Sequence, residues 1–150
     1  MVGNIEIEIS GKNENPNLVN NQITELLNSS SEQINILSYK IDRFYTNELR
    51  KIAQKGIKVM IITSERGKIP DKYIEYYDQL KSTSEINIIN NPNIKLLLAF
   101  NESEGIYCAG SLDREELEDS LLLITRIKEQ SKLKILKKLF NALLPSFMRK

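Results

Sequence analysis

Lys95 and the pair Gly110–Ser111 are the residues whose types and spacing could do chemistry. A lysine at the mouth of one apolar run, Ile94–Phe100, and a glycine–serine step closing a second, Gly105–Ala109, could hold a phosphate. The ammonium would act as a point charge, with the hydroxyl and the backbone N–H groups around the glycine as donors. An acidic turn, Asn101–Glu104, joins the two runs, so they read as adjacent strands within Asn91–Ser111. The catalytic half of such a site is missing. The chain has no histidine, which removes the commonest acid/base group and metal ligand near neutral pH. Its single cysteine, Cys108, falls mid-strand and reads as a small core residue rather than a nucleophile. With one cysteine and no histidine, no zinc site, metal or cofactor is expected.

Three other groups invite weaker readings. Arg66 and Lys68 sit in the loop Ser64–Pro70, at the carboxyl end of a strand, where open α/β sheets bind ligands. A generic exposed loop explains them as well. Asp113, Glu115, Glu116, Glu118 and Asp119 could hold a divalent cation and support a metal-dependent nuclease. They lack the glycine and alternating spacing of a calcium loop and read first as a solvated acidic turn. Lys134, Lys137 and Lys138 flank a Leu/Phe stripe that could lie on an anionic membrane or meet nucleic-acid phosphates. The plainer expectation is that the stripe covers one sheet face while the lysines meet water.

These residues need elements to position them. Asn4–Ile9 alternates apolar and charged side chains as a strand with one wet face does. Leu18–Leu27 has helical periodicity, Ile34–Tyr39 is a short strand, and Asp42–Thr46 could cap a helix over about Asn47–Gln54. Gly56 suits the residue after that helix, and Ile57–Thr63 is apolar enough to be buried on both faces. A helix over Asp71–Lys81, a strand over Glu85–Ile89 and a turn at Asn90–Asn93 lead into the central stretch. A strand over Ser120–Ile127 and a basic amphipathic helix over Lys128–Leu144 follow, stopped by Pro145. The order β α β α β α β β β β α predicts an α/β fold: a mixed, mainly parallel sheet with helices on both faces.

Composition sets the outer limits. At 150 residues, one domain spanning 1–150 is the simplest organisation. The net charge of +1 advertises no whole-protein attraction to nucleic acid. Charge is nevertheless segregated: Asn101–Asp119 carries seven acids against Arg114, and Arg126–Lys150 carries eight bases against Glu129. No signal-like start and no apolar run of roughly 18–20 residues is present, and a lone cysteine suits a reducing compartment. A cytoplasmic protein is expected.

In order and spacing the chain resembles the phospholipase D superfamily over roughly Gln22–Phe147. Ile34–Tyr39, the helix after it and Gln54–Lys55–Gly56–Ile57–Lys58–Val59 resemble that family's strand, helix and A-x-x-G-V-K-V lead into the next strand. Asn93–Ile94–Lys95 stands at the place of the H-x-K motif. The aspartate expected about five residues past the lysine is replaced by Phe100 and Asn101. Gly110–Ser111–Leu112–Asp113 matches the G-S-x-N element, and Glu118 is the nearest match to the later glutamate. The resemblance implies two H-x-K motifs meeting across a pseudo-twofold or dimer axis, one histidine attacking phosphorus and the other protonating the leaving group. Asn93 then occupies the histidine position, and an amide does neither job near neutral pH. The expectation is a catalytically silent homodimeric domain, binding nucleic acid or a phosphorylated ligand near Asn93, Lys95, Ser111 and Asp113. The alternatives are a dimeric scaffold docking a protein or an anionic membrane through its last helix, and the metal-dependent nuclease.

Overall fold

The computed structural model describes residues 5–148. Asn4, the expected start of the first strand, and the terminal Arg149 and Lys150 lie outside the described residues. Seven strands and five helices follow in the order β1 (Ile5–Ser10), α1 (Leu18–Asn28), β2 (Gln33–Leu37), α2 (Arg43–Gln54), β3 (Lys58–Thr63), α3 (Ile74–Lys81), β4 (Ile86–Asn90), β5 (Leu97–Phe100), β6 (Gly105–Cys108), α4 (Arg114–Asp119), β7 (Leu122–Ile127) and α5 (Gln130–Ala142).

The strands form one sheet in the order β1-β7-β6-β5-β2-β3-β4. Among the seven strands of the described residues, β2–β3 and β3–β4 pair parallel and every other strand pair is antiparallel. The fold is mixed α/β, but the expected mainly parallel character holds only for that three-strand portion. Chain length between strands explains the change. Each parallel step is bridged by a helix, whereas β4 reaches β5 through residues 91–96 alone. That link must pass three strand spacings, about 14 Å, and six residues extend at most about 20 Å. It therefore crosses the carboxyl ends of β3 and β2 directly, anchored where the Asn91 N–H donates to the Thr63 carbonyl (2.8 Å). β5 can then only run back antiparallel to β2.

Helix boundaries follow their caps. Asp42 accepts a hydrogen bond from the Tyr45 N–H (2.9 Å), so α2 begins at Arg43, a turn earlier than expected. Gly56 sits at φ +88° after the α2 cap, the left-handed position that glycine takes at little cost. The segment expected as a solvated acidic turn is α4: Asp113 caps it by accepting from the Glu116 N–H (3.2 Å), and Leu117 is fully buried. Asp113 and Glu116 have the spacing of a capping box, the local signal for this helix.

The core lies on both sides of the sheet. One side packs Ile34, Ile36, Val59, Ile61, Ala99 and Ile106 against α1, α2 and α4. The other side packs Leu37, Ile62, Leu98 and Phe100 under Leu133, Leu136 and Phe140 of α5. The stripe of α5 thus covers sheet, and Lys134, Lys137 and Lys138 are exposed. Gly105 permits this contact, because a Cβ there would lie 2.8 Å from Leu136 Cδ1 and 3.1 Å from Phe100 Cβ. Gly105→Ala should cost about 1–3 kcal/mol by overpacking, read as a lowered urea midpoint at unchanged slope. An unchanged midpoint would mean that α5 lifts without cost.

Candidate functional site

The carboxyl ends of β2 and β3 and the end of β6 lie at the same side of the sheet, because β5 runs back along β2 and β6 reverses again. Chain leaves β2 there as Ser38–Tyr39–Lys40 and leaves β6 as Ala109–Gly110–Ser111. Ser38 stitches the two exits together: its Oγ accepts from the Leu112 N–H (2.8 Å) and donates to the Lys40 carbonyl (2.6 Å). A short parallel bridge pairs Ile41 with Leu112. Asp42 then caps two helices at once, accepting from Tyr45 N–H of α2 and from Arg114 N–H of α4 (2.7 Å). Burial raises the Asp42 carboxyl above its usual range despite these donors.

Around Lys40 these exits close into a polar network. The Lys40 ammonium donates to Ser111 Oγ (2.8 Å), approaches Asp113 Oδ2 (3.4 Å) and pairs with Glu116. Ser111 Oγ in turn donates to Glu116 Oε1 (3.2 Å). The Tyr73 hydroxyl donates to Asp113, and the Lys40 ammonium sits 4.8 Å from the Tyr73 ring centroid. Burial would push the Asp113 carboxyl up, but the Tyr73 hydroxyl, the Glu116 N–H and Lys40 outweigh it and hold it below its ordinary value. Tyr73 is shifted the other way: burial, then its bond to Asp113, raises its hydroxyl pKa. Gly110, at φ +108°, lets the chain turn into this network, and a Cβ there would meet Glu116 Oε1 at 3.3 Å.

The sequence-predicted residues divide between inside and outside this network. Ser111 and Asp113 are inside it and buried. Asn93 and Lys95 are exposed in the β4–β5 link, since β5 starts at Leu97 rather than Ile94. Lys95 has no hydrogen bond or ion pair among the described residues, and the Asn93 N–H donates to Asn91 Oδ1 (2.9 Å). Phe100 and Asn101 lie at the far end of β5. Phe100 is core, and Asn101 holds the β5–β6 turn by accepting from the N–H groups of Ser103 (2.8 Å) and Glu104 (3.0 Å). Arg66 is tied to Asp78 by two bonds of 2.8 and 2.9 Å, whereas the Lys68 side chain is exposed and unpaired among the described residues. Glu115, Glu118 and Asp119 do not join Asp113 and Glu116, and no group of three or more potential metal ligands occurs among the described residues. Cys108 is a buried free thiol whose pKa burial pushes up to about 12. The sequence reading missed Lys40 and Tyr73. Lys40 follows the end of β2 and Tyr73 precedes α3, each with no motif around it, so only their meeting with Asp113 marks them.

No protein-family model matches the sequence, and no curated protein does. Solved structures do match the fold. NucT from Helicobacter pylori superposes with a TM-score of 0.77 at 13% identity, over 93% of this chain and 95% of that one. Nuc from Salmonella typhimurium, a phospholipase D family member, gives 0.75 at 10% identity, over 92% and 91%. The archaeal chromatin protein TrmBL2 gives 0.64 at 16% identity, over 93% of this chain and 51% of that one. With near full-length superposition on both NucT and Nuc, this chain has the phospholipase D-like fold.

Proposed function

We propose that this protein is a catalytically silent phospholipase D-like domain that binds nucleic acid or another phosphorylated ligand and works as a homodimer. The observation that carries the silent reading is the closed Lys40–Ser111–Asp113–Glu116 network beside a histidine-free motif. All three ammonium donors of Lys40 have acceptors, and Asp42, Asp113 and Glu116 outnumber it locally. A phosphate placed on Ser111 would meet net negative charge. Anion binding is therefore assigned to cations left without partners among the described residues at this end of the sheet, Lys95 and Lys68 among them. The similarity of the fold to a chromatin protein whose structure shows DNA binding favours nucleic acid among phosphorylated ligands.

The test is affinity of the full chain for single- and double-stranded DNA across a salt series. Lys95→Ala should weaken binding to all sequences alike and reduce the log–log salt slope by about 1. Unchanged affinity and slope would remove Lys95 from the interface, and release of product from labelled DNA would end the silent reading.

Pairing rests on a separate observation. On the α5 side of the sheet, β1 and β7 present Ile5, Ile7, Ile9 and Leu123 to solvent, 42–62% exposed, with Tyr107 of β6 in register beside Thr125. An uncovered apolar sheet face of this kind marks an interface, and the exposed Ile135 and Leu139 of α5 offer a matching stripe on a second copy. Light scattering should give the mass of a dimer for the native chain and of a monomer for Ile7→Glu. A monomeric native protein at high concentration would remove the pairing.

A further inference from the structure

We propose that the groove between α5 and the amino ends of β2 and β3 is a nucleotide-binding site. It lies at the opposite end of these strands from Lys40 and Lys95, and its case does not rest on the reading above.

Register sets its chemistry. On the α5 side, the row Leu37, Ile62 and Ile89 is apolar and packs under the helix. The next row toward the amino ends is Asn35, Met60 and Asn87, and beyond it stand Gln33 and Lys58. A central strand thus turns polar on a core face just where α5 leaves it uncovered, and the space left is about 740 Å³. Its floor is Met60, Phe100, Phe140 and Leu144. Asn35 is nine-tenths buried there; its Oδ1 accepts from Gln33 Nε2 (2.7 Å), and its amide nitrogen has no acceptor among the described residues. That nitrogen opens to the water of the groove, where it is free to donate to a ligand.

The rim supplies charge. Lys58 and Lys138 are in no ion pair among the described residues, and Lys137 has only the electrostatic attraction of Glu102. The Oε1 of that carboxylate accepts from the Ser31 N–H (2.9 Å) and hydroxyl (2.5 Å), its Oε2 has no donor among the described residues, and Glu32 is the other acid on the rim. A ligand matching all three parts has a flat apolar body for the Met60, Phe140 and Leu144 floor, a donor–acceptor edge for the carboxamides and a negative group for the lysines. That is a nucleotide, free or as one unit of a single strand. A fatty acid would use the floor and the lysines and leave Asn35, Asn87 and Gln33 unused.

The experiment is an amide-resolved NMR titration of the full chain with adenosine and uridine monophosphates, a short oligothymidylate and laurate. Saturable shifts centred on Asn35, Asn87 and Phe140 with the nucleotides are expected. Tighter binding of the oligonucleotide would assign the site to single strands, and equal or tighter binding of the monophosphates to free nucleotides. Lys58→Glu combined with Lys137→Glu should lower the affinity at least about tenfold, with chemical shifts elsewhere confirming the fold. Shifts at the amides of residues 93–97 would report binding at the carboxyl ends separately, so the failure of either site can be told from that of the other. Absence of shifts at those amides, indifference to the charge reversal, or a response to laurate alone would overturn the proposal.

Discussion

Lys40→Met is expected to lower the stability of the protein by about 2–4 kcal/mol, because truncating one partner of a buried pair leaves the other charge without compensation. The Lys40 and Asp113 side chains are only 14% and 11% exposed, so water can replace little of the lost contact. Glu116, at 36%, recovers hydration more easily and adds less. Urea denaturation reads the loss directly. Adding Asp113→Asn and Glu116→Gln to Lys40→Met should return much of it, since the charges are then removed together. A loss below about 0.5 kcal/mol for Lys40→Met would show the pair to be solvated and the site open.

The same variant should move the acid limb of the stability curve. Asp113 is held below its ordinary value in the folded state, so its contribution is complete above the unfolded pKa near 3.8 and is lost as pH falls through the lower folded value. Asp42, raised by burial, has the opposite sign: protonation on acidification relieves it. Without Lys40 the folded Asp113 loses a lowering influence, so the gap to its unfolded value narrows and less stability should be lost on acidification. Urea midpoints taken from about pH 6 to about pH 2 test this, and coincident acid limbs for native and variant chains would contradict the network.

Phe140→Ala carries the second large expected effect, a loss of about 3–5 kcal/mol. Phe140 is 5% exposed and meets Phe100 edge to face, 5.6 Å between centroids. With Leu133 and Leu136 it is what fastens α5 to the sheet, since the lysines of that helix face water. Besides the lowered urea midpoint, amide exchange along α5 should accelerate relative to β3, as the helix comes to open without the sheet. Equal protection in both elements would show α5 to be held by other contacts.

Strand and helix patterns were legible wherever they are local. Alternation marked β1, the apolar run Ile57–Thr63 marked β3, and the spacing of Leu133, Leu136 and Phe140 marked the covered face of α5. Gly56 was legible because only its backbone conformation matters. Parallel pairing was overestimated, because strand–helix alternation says nothing of where a six-residue link must land. The helix α4 was read as a turn because its run of acids outweighed the capping spacing of Asp113 and Glu116.

The sequence by itself determined the class of the fold and the absence of histidine chemistry, since both follow from residue types and short-range periods. The tertiary structure alone decided what surrounds Ser111. Lys40 and Asp113 stand 73 residues apart and meet only because β2 and β6 leave the sheet at one end. Once there, an ammonium shielded from water must find carboxylates, and the position where a phosphate could have sat is held by the protein's own charges.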